Sequence, residues 1–332
     1  MGTIDLKTKK ESGKVQKADP QQFLDEKDES VQGEKEISSQ GEQQVKIRTK
    51  VALKPVLEPK KVLEQHQEDK KEKRRELKKK KIDNFIQQDG DNLGKKMKSS
   101  IKDANDGVVV VRGLIKKFIV GESEIQVLNG IDLEVDQGDF AMLVGPSGCG
   151  KSTLLHIIYG LEEPTKGEIF IKGTDIWSHT KNWRADFRNS SVGFIPQQAF
   201  WLKALSVLEN VAVPSIIGGL SYHKGLKRAA QMLELVEMSD WAKHRPYDLS
   251  GGQQQRIALA RALLLNPWFI IADEPTGNLD QRSGFQLMDL MKDFNERFNI
   301  TVLMVTHNPK QYKYATKVFE MLDGKIAGFI QQ

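Results

Sequence analysis

The 332 residues leave room for two domains, and the formal net charge of +5 belongs to one end: residues 1–106 hold 26 Lys or Arg against 21 Asp or Glu, so residues 107–332 are balanced. One cysteine, Cys149, excludes an internal disulfide and a cysteine-rich zinc site. No apolar run nears the roughly 20 residues needed to cross a bilayer and no secretory core opens the chain, so a soluble cytosolic chain is expected.

Gly2 invites a myristoyl reading, but Leu6 stands where that motif wants Ser or Thr. Residues 1–106 are rich in Lys, Glu and Gln and almost free of aromatics. Too little apolar surface is available there to offset the chain entropy lost on folding, which predicts a largely disordered extension. Residues 59–88 have helical propensity, yet no apolar residue lies between Leu63 and Leu77, which breaks any coiled-coil seam. The cluster Lys70 to Lys81 reads as a solvated charged spacer, with anionic lipid, nucleic acid or a protein partner as the sharper alternatives.

Order is expected from near Val108. Val108 to Arg112 reads as a strand, as does Gln126 to Val135, and Asp139 to Val144 is a buried strand running straight into glycines. After Thr153, the spacing of Leu154, Leu155, Ile157 and Ile158 predicts the buried face of a helix. From about residue 176 to 265 the pattern is mostly helical, as in Leu226 to Val236, which predicts a helical subdomain inserted into an α/β core. Phe269 to Ala272 and Thr301 to Val305 are short apolar runs of the kind found in parallel sheets covered on both faces. Between them Leu287, Leu290, Met291, Phe294 and Phe298 fall at helical spacing.

Three motifs carry chemistry. Gly145 to Thr153 reads GPSGCGKST, a phosphate loop between strand and helix. Its glycines let successive N–H groups curl around a polyphosphate, while Lys151 reaches the β and γ phosphates and Ser152 offers a hydroxyl to Mg²⁺. Within the loop, Cys149 reads as a small tolerated side chain, or else as a thiol whose oxidation would obstruct the phosphate. About 120 residues on, FIIADE ends a strand in two carboxylates. Asp273 is placed to hold Mg²⁺ and Glu274 to act as general base toward the attacking water. His307, just past the strand Thr301 to Thr306, emerges at the same sheet edge and suits a γ-phosphate contact. His66, His156, His179, His223 and His244 have no such neighbours and read as structural or surface residues.

The third motif is Leu249, Ser250, Gly251, Gly252 and Gln253, a glycine-rich turn leading into a helix expected over Gln254 through Leu265. A hydroxyl and free N–H groups at a helix N-terminus make a second anion-binding edge. One chain then carries two phosphate-binding edges, which predicts a dimer with nucleotide at the seam.

Phosphate loop, LSGGQ, ADE strand and His307 come in the order and spacing of an ABC transporter ATPase subunit, and the resemblance covers about Val108 to Gly328. Val127 through Gly167, Gly193 to Val213, LSGGQQQR and ADEPTGNLD look most like the lipoprotein-release, macrolide-export and cell-division branch of bacterial ABC ATPases. The resemblance implies an α/β P-loop NTPase core with an antiparallel β subdomain and the inserted helical subdomain. It implies ATP and Mg²⁺, held by Gly145, Pro146, Ser147, Gly148, Cys149, Gly150, Lys151, Ser152 and Thr153, with Ser152, Gln197 and Asp273 at the metal. Gln197 matches the loop that senses Mg²⁺ and attacking water, Phe118 the aromatic that stacks on adenine, and Asp280 the loop that crosses to the partner. Ser250, Gly251, Gly252 and Gln253 match the signature that contacts the nucleotide of the other subunit.

The partners implied are ATP, a second copy or a paralogous ATPase subunit, and separate transmembrane permease subunits at the cytoplasmic face of the cell membrane, with no direct nucleic acid. The competing reading is a soluble ABC ATPase acting on nucleic acid or ribosomes, without the paired cassettes, coiled coil or zinc cysteines that such proteins carry. Pro196 stands before Gln197 where many relatives carry an aromatic, and no regulatory domain is expected after Asp323 and Gly324.

Overall fold

The computed structural model describes residues 107–332 and the single residue Glu76, which is helical and exposed; Glu76 apart, the expectations of an N-terminal disordered segment and a helix over 59–88 lie outside the described residues. Two sheets organise residues 107–332. A four-stranded antiparallel sheet has the order β2-β1-β4-β5, from β1 (Val109–Val120), β2 (Ser123–Val135), β4 (Lys166–Ile171) and β5 (Thr174–Asp175). A six-stranded sheet has the order β10-β9-β3-β8-β7-β6, from β3 (Phe140–Val144), β6 (Val192–Ile195), β7 (Phe269–Asp273), β8 (Thr301–Val305), β9 (Lys317–Leu322) and β10 (Lys325–Gln331). Its pairings are parallel except the β9–β10 hairpin at one edge.

Period-two alternation sends each central strand to two cores at once. Phe140 and Met142 of β3, Ile270 and Ala272 of β7, and Val302 and Met304 of β8 join one core; Ala141 and Leu143, Phe269 and Ile271, and Leu303 and Val305 join the other. The first core is closed by α3 (Val207–Ile217), α4 (Tyr222–Leu235), α5 (Gly251–Leu263) and α6 (Gln281–Phe298), through residues such as Val211, Met232, Ile257 and Met291. The second is closed by α1 (Lys151–Ile158) and by the inward side of the four-stranded sheet, through Leu154, Ile157, Val109 and Leu128. Burial on both faces is why these strands are continuous apolar runs.

The expected helical stretch, residues 176–265, also contains a strand: after α2 (Lys181–Ser191) the chain enters β6, the edge of the six-stranded sheet, before α3 begins. Pro196 follows β6, and the segment from there to Ser206 has no regular structure. Asn210 of α3 braces it, accepting from Leu202 N at 2.9 Å and donating to the carbonyls of Leu202, Leu205 and Ser206 at 3.1, 3.1 and 2.9 Å. Among the described residues no helix is long and apolar enough to cross a membrane.

Candidate nucleotide site

The turn between β3 and α1 is built for close approach. Gly145 has φ of 147°, and a Cβ there would fall 2.1 Å from the carbonyl oxygen of Met321 on β9; at Gly150, the N-cap of α1, a Cβ would fall 2.8 Å from Leu128. Two of the loop's glycines are thus required by the neighbouring strands as well as by any ligand. Pro146, Ser147 and Gly148 are exposed, Thr153 is half-buried in the first turn of α1, and Lys151 is buried. Its ammonium donates to the carbonyls of Gly145 at 3.0 Å and Pro146 at 2.7 Å, with the buried Cys149 Sγ 3.8 Å away.

The ends of β7 and β8 face this loop. Ser152 Oγ donates to Asp273 Oδ1 at 3.1 Å, which joins the hydroxyl and carboxylate predicted to share a cation. Burial pushes the Asp273 carboxyl above its usual range, opposed by the Ser152 hydrogen bond. A hydroxyl and a partly desolvated carboxylate at this distance form a hard oxygen donor set, which suits Mg²⁺.

One residue further, the backbone turns. Glu274 has φ of 44°, a left-handed conformation uncommon for a non-glycine residue, and its N–H donates to Val305 O at 3.2 Å. The turn carries its carboxylate into a polar group: Oε2 accepts from Gln197 Nε2 at 3.3 Å and lies 3.4 Å from His307 Nδ1. Asp273 pairs with Val305 in register, so the carboxylates and His307 leave adjacent strands at one edge. Phe118 lies on β1 in the other sheet, half-buried, with the Lys116 ammonium 4.6 Å from its ring centre.

Leu249 to Gln253 is separate. Leu249 is buried and Ser250 exposed, and Ser250 is the N-cap of α5 in a capping box: Gln253 N donates to Ser250 Oγ at 3.4 Å, and Ser250 N donates to Gln253 Oε1 at 2.9 Å. A Cβ on Gly251 would meet Leu279 at 3.3 Å, and one on Gly252 would meet Ser283 at 3.0 Å. The first turn of α5 therefore packs on the segment around Asp280, whose Oδ1 accepts from Ser283 N at 3.0 Å as the N-cap of α6. Hydrogen bonding from the Ser283 side chain first, and its backbone N–H second, holds the Asp280 carboxyl below its usual range. Among the described residues, no hydrogen bond or ion pair links Leu249–Gln253 to Lys151, Asp273, Glu274 or His307.

Sequence reasoning missed Gln255. It is buried on the inner face of α5, and its amide donates to Gln197 O at 2.9 Å and Pro196 O at 3.2 Å, tying the helix that begins at Ser250 to the loop that bears Gln197. A glutamine among Ile257, Ala258 and Leu259 on a helix face is itself the signal, because a buried amide needs partners.

Residues 128–277 match the family model of the ABC transporter. An uncharacterized ABC transporter ATP-binding protein of Methanocaldococcus jannaschii is 45% identical over 225 residues, 68% of this chain and 100% of that protein. The chain belongs to the ABC transporter ATP-binding proteins. A lipoprotein-releasing system ATP-binding protein LolD, of Syntrophus aciditrophicus, is 39% identical over 66% of this chain and 98% of its own, in line with the branch that the motifs resemble. Among solved structures, a dimeric ATP-binding cassette in a post-hydrolysis state, bound to ADP and Pi, superposes with a TM-score of 0.64 at 36% identity over 67% of this chain and 98% of that one. This ABC protein binds and hydrolyses ATP as an ATPase subunit of a transporter, on the α/β cassette fold expected.

Proposed function

We propose that this ABC subunit pairs with a second ATP-binding subunit, another copy or a paralogue, around two molecules of Mg·ATP, and drives separate membrane-spanning permease subunits at the cytoplasmic face of the membrane. Export or mechanical transmission is the mode that fits its branch. One observation carries the reading: Leu249–Gln253, the turn that opens α5 with Ser250 and Gly251 exposed, has among the described residues no polar link to its own chain's phosphate loop. The dimeric form of the solved cassette with ADP and Pi and the LolD relatives support it. No direct contact with nucleic acid belongs to this reading.

Within each site the contacts and the family resemblance support the following roles. The loop from Gly145 to Thr153 wraps the phosphates, and Lys151 exchanges its carbonyl partners for phosphate oxygens. Ser152 and Asp273, with Gln197, would hold Mg²⁺, which would supply positive charge to the phosphates. Glu274 takes the proton of the attacking water, oriented by Gln197 on one side and His307 on the other. His307 turns toward the γ-phosphoryl, Phe118 stacks on the base, and Asp280 reaches toward the partner. Ser250, Gly251, Gly252 and Gln253 close the partner's site with hydroxyl and N–H groups.

Mixing two inactive variants tests the shared site. Lys151→Ala keeps an intact signature and Ser250→Arg keeps an intact phosphate loop, so their mixed dimer contains one complete composite site. Turnover by the mixture well above that of either variant alone is expected; a mixture no faster than its components overturns the reading.

A further inference from the structure

Two arms of chain meet at the hydrolytic carboxylate. One runs from Asp273 through Glu274 and Thr276 to Asp280; the other runs from Thr306 through His307 and Asn308 into the 3-10 helix Pro309–Tyr314. A cavity of about 240 Å³, lined by Thr276, Asp280, Asn308 and Gln311, lies between them. Beside it one side chain joins the arms. Thr306 Oγ1 donates to Gln311 Oε1 at 2.7 Å, and Gln311 Nε2 donates to Thr276 Oγ1 at 2.8 Å. Gln311 is 2% exposed and Thr306 3%, so the bond between them is shielded from water, while the one to half-buried Thr276 is partly so.

The bridge has a direction. With its own proton given to Gln311, Thr306 Oγ1 accepts the N–H of Asn308 at 3.1 Å, so the residues on both sides of His307 are tied to one hydroxyl. On the opposite flank, Glu274 N donates to Val305 O at 3.2 Å. Held at Val305, Thr306 and Asn308, the backbone leaves His307 little freedom beyond its own side-chain torsions. A primary amide satisfies the bridge because it offers an acceptor to one threonine and a donor to the other. An apolar residue of the same length would leave both hydroxyls without this partner.

We infer that Gln311 is a positioning residue for ATP hydrolysis, which sets His307 against Glu274 by joining Thr306 to Thr276; the inference rests on the roles proposed for Glu274 and His307. A side chain that acts through geometry lowers kcat more than it alters nucleotide binding. In steady-state ATPase assays of the full-length protein, Gln311→Leu is expected to lower kcat about tenfold while KM for ATP stays within about twofold. In a His307→Ala background it adds no further loss, since both changes break one unit. Thr276→Val reproduces the kcat loss and Thr276→Ser, which keeps the hydroxyl, restores it. If Gln311→Leu does not fold, the two substitutions at half-buried Thr276 carry the test. Wild-type kcat in the folded Gln311→Leu or in Thr276→Val, or losses that multiply with His307→Ala, overturn the positioning role. Full turnover by Glu274→Gln or His307→Ala removes instead the site assignment beneath it, which separates the two failures.

Discussion

At Glu274 the backbone accepts an unfavourable left-handed conformation, φ 44°, so that the carboxylate leaves the sheet toward Gln197 and His307. Such a conformation costs on the order of 1 kcal/mol or more and persists where its surroundings fix it, here through Val305 O and the turn closed by Gly277 N on Glu274 O at 3.0 Å. Replacement by glutamine keeps the size and the polar neighbours but removes the basic oxygen. Glu274→Gln is therefore expected to bind ATP with unchanged affinity while kcat falls by roughly 100-fold or more, the contribution of a positioned general base; comparing calorimetric titration with turnover checks it. Lys151 makes the opposite prediction. Its ammonium already sits among loop carbonyls that a phosphate would replace, so Lys151→Ala weakens ATP binding itself by at least about tenfold in the same titration.

The elements that hold these residues differ in how far sequence foretold them. β3, β7 and β8 were legible because burial on both faces leaves an unbroken apolar run. β6 was hidden because four residues between two helical stretches carry no period of their own, and only pairing with β7 makes them a strand. α5 starts at Gly251, earlier than the expected Gln254, since the Ser250–Gln253 capping box compensates for two glycines that by propensity belong to a turn. A similar box sets α3, the helix that braces the Gln197 loop: Glu209 accepts from Ser206 N at 2.8 Å and Ser206 Oγ at 2.6 Å, and from Tyr222 Oη at 2.8 Å on α4. The Ser206 bonds come first and Tyr222 next in lowering the Glu209 carboxyl from its ordinary 4.5 to about 2. Because the folded value lies below the unfolded one, the stabilisation is complete above about pH 4.5 and is lost as pH falls toward about 2. The gap in Tm between wild type and Glu209→Gln should be widest near neutrality and narrow steadily below about pH 4.5; a gap independent of pH counts against the ionised cap.

For the whole molecule, the motifs placed Lys151, Asp273, Glu274 and His307 along one edge from sequence alone, because strand ends in a parallel sheet are where ligands gather. Gln255 and Gln311 are not legible in the sequence, since their value lies in which backbone or hydroxyl they meet across 58 and 35 residues of chain. Ser250 does two jobs that one substitution would confuse. As the N-cap of α5 its hydroxyl accepts from Gln253 N, so replacement by a residue that cannot cap costs about 1 kcal/mol of helix stability. As an exposed group on the proposed dimer face it meets the partner's nucleotide. Ser250→Ala removes the hydroxyl and adds no bulk, whereas Ser250→Arg removes it and adds a long cation at the seam. Both should lower Tm by similar amounts and leave ATP affinity of the monomer unchanged, since Lys151 and its loop make no polar contact with the turn. Only the arginine variant should abolish the ATP-dependent dimer outright on a sizing column, in the slow-hydrolysing Glu274→Gln background that prolongs it. An arginine variant that still dimerises with ATP would show that the turn faces away from the seam, and that the second phosphate-binding edge of this chain serves something other than a partner's nucleotide.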